Sequence, residues 1–172
     1  MNPPLQHIYD LSSISAAGAE VTITAKPEEL PALAQWFGVD AIEAFTAKLE
    51  LRKLSQMRFH IDALMTADIV QACVVTLVPV NTHIERRFSR TLHLTTGPAA
   101  GRETIIVSPA DDESPEEIAS TRYDLAEPLL EELALSIDPY PRAPGVEFVP
   151  PDDGKSPEES PFAVLKRLKQ GS

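Results

Sequence analysis

Two hydrophobic periods divide this chain. Leu30, Leu33, Ala34 and Phe37 fall at i, i+3, i+4 and i+7, which places them on one helical face. Lys26-Pro27-Glu28-Glu29 supplies an early proline and two first-turn acids, and Gly38 supplies a stop, so a helix is expected between them. Leu125, Leu129, Leu130, Leu133 and Ile137 form a second helical stripe. Asp124 with Glu127 three residues on reads as a capping box in front of it, and Pro128 leaves its start open. Between the two helices the period changes to two. Phe45, Ala47, Leu49 and Leu51 alternate with Thr46, Lys48, Glu50 and Arg52, and Met57, Phe59, Ile61 and Ala63 with Arg58, His60 and Asp62. Ile69 to Val78 is apolar on both faces and predicts a central strand ended by Pro79. Ile84, Phe88 and Leu92 lie on one side of a further strand. These four strands, from 43 to 94, have short connections, which favours an antiparallel meander curled toward a barrel. Shorter strands are expected at His7–Leu11, Glu20–Thr24 and Thr104–Val107, with a turn at Gly97–Gly101. Pro109–Ser120 reads as an acidic loop. The fold class is therefore α+β: an antiparallel, barrel-like sheet with two packing helices.

The C-terminal part reads differently. Pro139-Tyr140-Pro141-Arg142-Ala143-Pro144-Gly145 is an extended segment that closes a single domain over residues 1–145. Residues 146–160 hold three prolines and many acids, the composition of a flexible linker. In residues 161–172 the pattern turns helical again. Ser160 suits an N-cap and Pro161 the first helical position. Phe162, Leu165 and Leu168 form a small apolar face, and Lys166, Arg167 and Lys169 place positive charge in the last turn. A helix this short is marginal alone, so it is expected to dock on its own domain or on a partner.

Charge sharpens that division. Residues 1–110 carry 11 Asp+Glu against 9 Lys+Arg, residues 111–160 carry 15 against 3, and residues 161–172 carry 3 bases and no acid. A near-neutral core thus precedes a strongly acidic region and a basic tail. An acidic surface repels phosphate backbones and attracts basic proteins. No apolar run approaches the roughly 20 residues of a membrane span, and no signal peptide is recognised at Met1-Asn2-Pro3-Pro4, so a cytoplasmic protein is expected.

Catalytic chemistry finds little support. His7, His60, His83 and His93 lack metal-ligand spacing, and neither GxSxG nor a P-loop is present. Cys73 is the single cysteine and sits in an apolar pattern, where it reads as a small buried hydrophobe and not a metal ligand. No enzymatic activity, cofactor, metal or small-molecule substrate is expected. Arg86, Arg87 and Arg90 form the densest basic cluster of the core and are the candidate RNA contacts. Alternation puts Arg86 and Arg90 on one face and Arg87 on the other. Trp36 is a candidate partner anchor, although core packing is the commoner fate of such a side chain.

Three segments in order carry a family resemblance: Gln71-Ala72-Cys73-Val74-Val75-Thr76-Leu77-Val78-Pro79, then Tyr123 to Leu135 with Pro139-Tyr140-Pro141-Arg142, then Ser160-Pro161-Phe162-Ala163-Val164-Leu165. Together they resemble the YceD family over roughly residues 5–169. That family comprises bacterial proteins, with plastid relatives, linked to accumulation of large-subunit (23S) ribosomal RNA. Its gene commonly neighbours one for a small, basic ribosomal protein. Many members carry a Cys-x-Arg-Cys pair at the central strand; here Cys73 is kept, while Val75 and Thr76 stand at the other two positions. Ser160 stands where asparagine is usual. The resemblance implies a non-catalytic bacterial, cytoplasmic factor whose partner is the large-subunit precursor, either 23S rRNA or a small basic ribosomal protein. Phe162, Leu165, Lys166, Arg167, Leu168 and Lys169 are the candidate partner-binding residues. A direct RNA-binding protector of precursor rRNA and an RNA-processing enzyme are the alternatives.

Overall fold

A computed structural model describes residues 3–95 and 115–147. The elements run β1 (Ile8–Asp10), β2 (Ala19–Thr24), α1 (Leu30–Phe37), β3 (Ala41–Lys53), β4 (Arg58–Ala72), β5 (Pro79–Leu94), β6 (Glu116–Ile118), β7 (Arg122–Asp124) and α2 (Ala126–Ser136). Five strands form one sheet in the order β2-β3-β4-β5-β6, antiparallel except for the β5–β6 pair. β1 and β7 form a separate antiparallel pair. The protein is α+β, with two helices among the described residues. The sheet is open, with β2 and β6 at its edges, and is not closed into the expected barrel. Helices α1 and α2 supply residues to the core that the sheet would otherwise have to bury by closing on itself.

The three central strands follow from alternation. Along β4, Phe59, Ile61, Ala63, Met65, Ala67 and Ile69 are all buried, and the residues between them are half-buried. Phe45, Ala47, Leu49 and Leu51 do the same on β3. The pairs Leu49↔Ala63 and Ala63↔Phe88 put these side chains on one inner face together with Ile84 and Leu92. Two expected strands are therefore one: the segments beginning at Met57 and at Ile69 belong to the same 15-residue β4. β4 also stops at Ala72, seven residues before Pro79, and Pro79 begins β5 instead of ending the strand before it. In the connection Cys73 N–H reaches Val78 O at 2.8 Å and Leu77 N–H reaches Cys73 O at 2.9 Å. The turn leaves Val74, Leu77 and Val78 exposed, with Leu77 in the left-handed region at φ 61°. The apolar run thus marked a turn as well as a strand.

Helix α1 begins at Leu30, after a turn over residues 27–29, and Gly38 ends it at φ 66° with its N–H on Gln35 O at 3.3 Å. Asp124 caps α2 from one residue further upstream than a capping box requires: its Oδ1 accepts from Ala126 N–H at 3.0 Å and from His7 N–H at 2.8 Å. That carboxylate ties the N-terminal β1 segment to the start of α2. Leu125, Leu129, Leu130 and Leu133 are buried, as the stripe predicts. Residues 116–118, read as part of a loop, form the short β6 because Ile118 is buried and pairs with Leu94. The Thr104–Val107 strand, the Gly97–Gly101 turn, the linker from residue 148 onward and the 161–172 helix lie outside the described residues.

Leu133 is fully buried and Leu135 is 79% exposed on the same helix. Leu133→Ala is expected to cost about 2–5 kcal/mol in urea unfolding. Leu135→Ala is expected to stay within about 0.5 kcal/mol. Equal costs at the two sites would mean that α2 is docked in another rotation.

Candidate functional site

Arg86 and Arg90 alternate with Ile84, Phe88 and Leu92, so both point to the inner face, where α2 lies. Arg90 Nη2 donates to Glu131 of α2 at 2.6 Å, and Nη1 donates to Glu116 of β6 at 3.2 Å. Glu116 also accepts from the Tyr123 hydroxyl at 3.3 Å. Burial raises the Tyr123 phenol above its ordinary pKa, and the Glu116 carboxylate raises it further. Arg86 Nε donates to Ser136 Oγ at 3.0 Å, at the last turn of α2. Two of the three core arginines thus join the sheet to α2. Arg87 faces the opposite side of the sheet, near Lys48, Glu50 and Asp62. The structure does not bring the three guanidiniums together into one patch.

That outer face carries charges of both signs. Glu20, Glu50 and Asp62 stand opposite one another across β2, β3 and β4. Arg52 pairs with Asp62, and His60 Nε2 lies 3.3 Å from the same carboxylate. Partial burial pushes the Asp62 carboxyl up, but Arg52 and His60 outweigh it and hold the group below its usual range. His83 pairs with Asp68 at 2.6 Å. Among the described residues, no group of three or more His, Cys, Asp or Glu is placed to hold a metal ion.

An open groove of about 720 Å³ lies between the C-terminal end of α1 and α2. Trp36 stands on its α1 side, while Glu127, Glu131 and Ala134 line its α2 side. Gln71 lines it from the end of β4, and Asp138 and Pro139 from the segment after α2. Among the described residues no Lys, Arg or His lines the groove. Trp36 lies off the stripe that α1 buries and remains 42% exposed. Gln71 continues the inward phase of β4 and is 91% buried, since its exposure is 9%. Its Nε2 donates to Asp138 O at 2.9 Å, and its Oε1 is buried without a hydrogen-bond partner among the described residues. Sequence reasoning singled out Trp36 but not the groove. The available signal was a glutamine in phase with six buried apolar residues.

Cys73 is buried, as expected, but in the turn after β4 and not within the strand. Ala143 N–H donates to its Sγ at 3.4 Å, and Val74 N–H donates to Pro141 O at 2.9 Å, so the turn is fastened to the segment after α2. Hydrogen bonds from the Thr76 hydroxyl, and then from the Ala143 and Thr76 amides, lower the thiol to about 6 against the opposing effect of burial. A folded-state pKa below the unfolded value contributes stability that is complete above the unfolded value and is lost as pH falls through about 6. The difference in melting temperature between the wild-type chain and Cys73→Ser should therefore narrow from pH 9 to pH 5. A constant difference would show a thiol that stays neutral throughout.

No helix among the described residues is long and apolar enough to cross a membrane. No curated protein and no solved structure matches the chain. A family model does: that of the large ribosomal RNA subunit accumulation protein YceD, over residues 61–169. The match begins within β4 and takes in β5, α2, the segment after it and the tail through Lys169. It covers more than half of the 172 residues, and the chain belongs to the YceD family.

Proposed function

We propose that this chain is a non-catalytic, cytoplasmic factor that supports accumulation of large-subunit ribosomal RNA by holding a basic ribosomal protein of that subunit. Membership of the YceD family carries the reading. The partner class rests on charge: the family match includes residues 111–160, where 15 acids face 3 bases. Such a surface attracts a cationic protein and repels a phosphate backbone. The arrangement of arginines supports the same choice. Arg90 is already matched by two carboxylates and Arg86 is engaged with Ser136, which leaves Arg87 without the other two beside it.

Affinity purification of the full chain from cells, with and without ribonuclease, tests the reading. A small basic large-subunit protein should co-purify and remain after ribonuclease treatment. It should be lost on raising salt toward 1 M, where the Debye length falls from about 10 Å to about 3 Å. Loss of every partner on ribonuclease treatment would favour direct binding to precursor rRNA through bases such as Arg87. Removal of the gene should lower large-subunit rRNA relative to small-subunit rRNA, and an unchanged ratio would refute the role.

A further inference from the structure

The groove between α1 and α2 combines three features that call for a particular occupant. Its lining includes Glu127, Glu131 and Asp138, and no base among the described residues. A half-exposed indole, Trp36, offers an apolar wall. The floor between them includes Gln71, a polar side chain held by its Nε2 donating to Asp138 O at 2.9 Å. The occupant should be cationic and apolar on one side.

The chain carries one segment of that chemistry. Phe162, Leu165 and Leu168 recur at three-residue spacing, and Lys166, Arg167 and Lys169 are interleaved with them. Residues 161–172 hold no acid. We infer that the groove is the binding site of the chain's own C-terminal segment, Pro161–Lys169, with the apolar residues against Trp36 and Ala134 and the bases toward Glu127 and Asp138. Reach is sufficient. The 13 residues from 148 to 160 span at most about 45 Å in any conformation, against a radius of gyration of about 14 Å for a domain of this size. The tether also supplies an effective concentration near the millimolar range, so a weak site fills in cis before a free partner competes for it. Other surfaces fit less well. The exposed Val74, Leu77 and Val78 are apolar but carry no acid, and the outer sheet face sets bases among its acids. The inference stands apart from the ribosomal role, since it concerns what covers this groove in the isolated chain.

Trp36 is the only tryptophan and therefore reports on the groove directly. The experiment is acrylamide quenching of its fluorescence in the full-length protein, comparing wild type with Leu165→Asp/Leu168→Asp. Release of a mostly filled cis site should red-shift the emission and raise the quenching constant roughly two-fold. Ala134→Arg, which places a like charge in the groove, should expel the tail, and a further Leu165→Asp should then have no added effect. The double aspartate variant should keep the far-ultraviolet circular dichroism of the domain. Identical quenching in wild type and the double aspartate variant would overturn the inference. Protection of Trp36 that appears only as protein concentration rises, with dimers in sedimentation, would assign the groove to a second copy and equally overturn the cis arrangement. Neither measurement depends on ribosomal material, so failure here leaves the proposed function untouched, and failure of that function leaves this result standing.

Discussion

The inward row of β4 is the constraint on which the rest of the structure depends. Phe59, Ile61, Ala63, Met65, Ala67 and Ile69 occupy every second position and are each no more than 2% exposed. β3 pairs with one side of this strand and β5 with the other, so the phase of β4 sets the phase of both. A one-residue slip would turn all six side chains to the opposite face, a loss far larger than any local gain. The same rigidity carries Gln71 inward as the next member of the row. Its amide N–H bond to Asp138 O draws the segment after α2 against the sheet, and its carbonyl oxygen is buried without a hydrogen-bond partner among the described residues. The groove's polar floor is thus a consequence of strand periodicity.

Packing of α2 combines two kinds of contact. Leu125, Leu129 and Leu133 are fully buried and supply the apolar part. At its rim, Arg86 and Arg90 occupy inward positions of β5, and Arg90, partly buried there, would be costly without partners. Glu131, Glu116 and Ser136 provide them. Of these, Glu131 and Ser136 belong to the helix and Glu116 to the edge strand β6. The basic cluster that suggests phosphate contact in the linear sequence is in part a device for fixing the rotation of a helix. Linear density of charge carries no information about which face each charge occupies; the strand phase does, and it separates Arg87 from the other two.

Much of the fold was legible where one period held without interruption. The α1 stripe ending at Gly38, the α2 leucines and the β3 alternation all lie where their spacing places them. Reading failed where apolar residues occur on both faces. Leu64 and Val70 are half-buried on the outer side of β4, which obscured its continuity. Val74, Leu77 and Val78 extended the apolar run into what is a turn. β6 has only three residues, pairs in parallel and is held by Ile118, too little for any periodicity to show. Whether a meander closes into a barrel depends on what covers its inner face, and that is a tertiary property. The groove was illegible for the same reason, since Trp36, Gln71 and Glu131 come together only after α1 and α2 have both docked.

Charge segregation links these points to function. The core strands are close to neutral, and their outer face sets rows of opposite charge side by side: Glu20, Glu50 and Asp62 in one, Lys48 and Arg87 in the next. Such rows neutralise each other at short range and create little field at a distance. The excess of acids lies in residues 111–160, of which the described part holds β6, β7, α2 and the segment after it. The unbalanced negative charge of the described residues is therefore concentrated on the α2 side and along the β6 edge, and not on the outer face of the central strands. On that side the carboxylates differ. Glu131 already spends part of its charge on Arg90, whereas Glu127 forms no ion pair among the described residues. Asp138, after the last turn, forms none either, so the uncompensated charge of the groove sits at both ends of α2, with Glu131 neutralised between them.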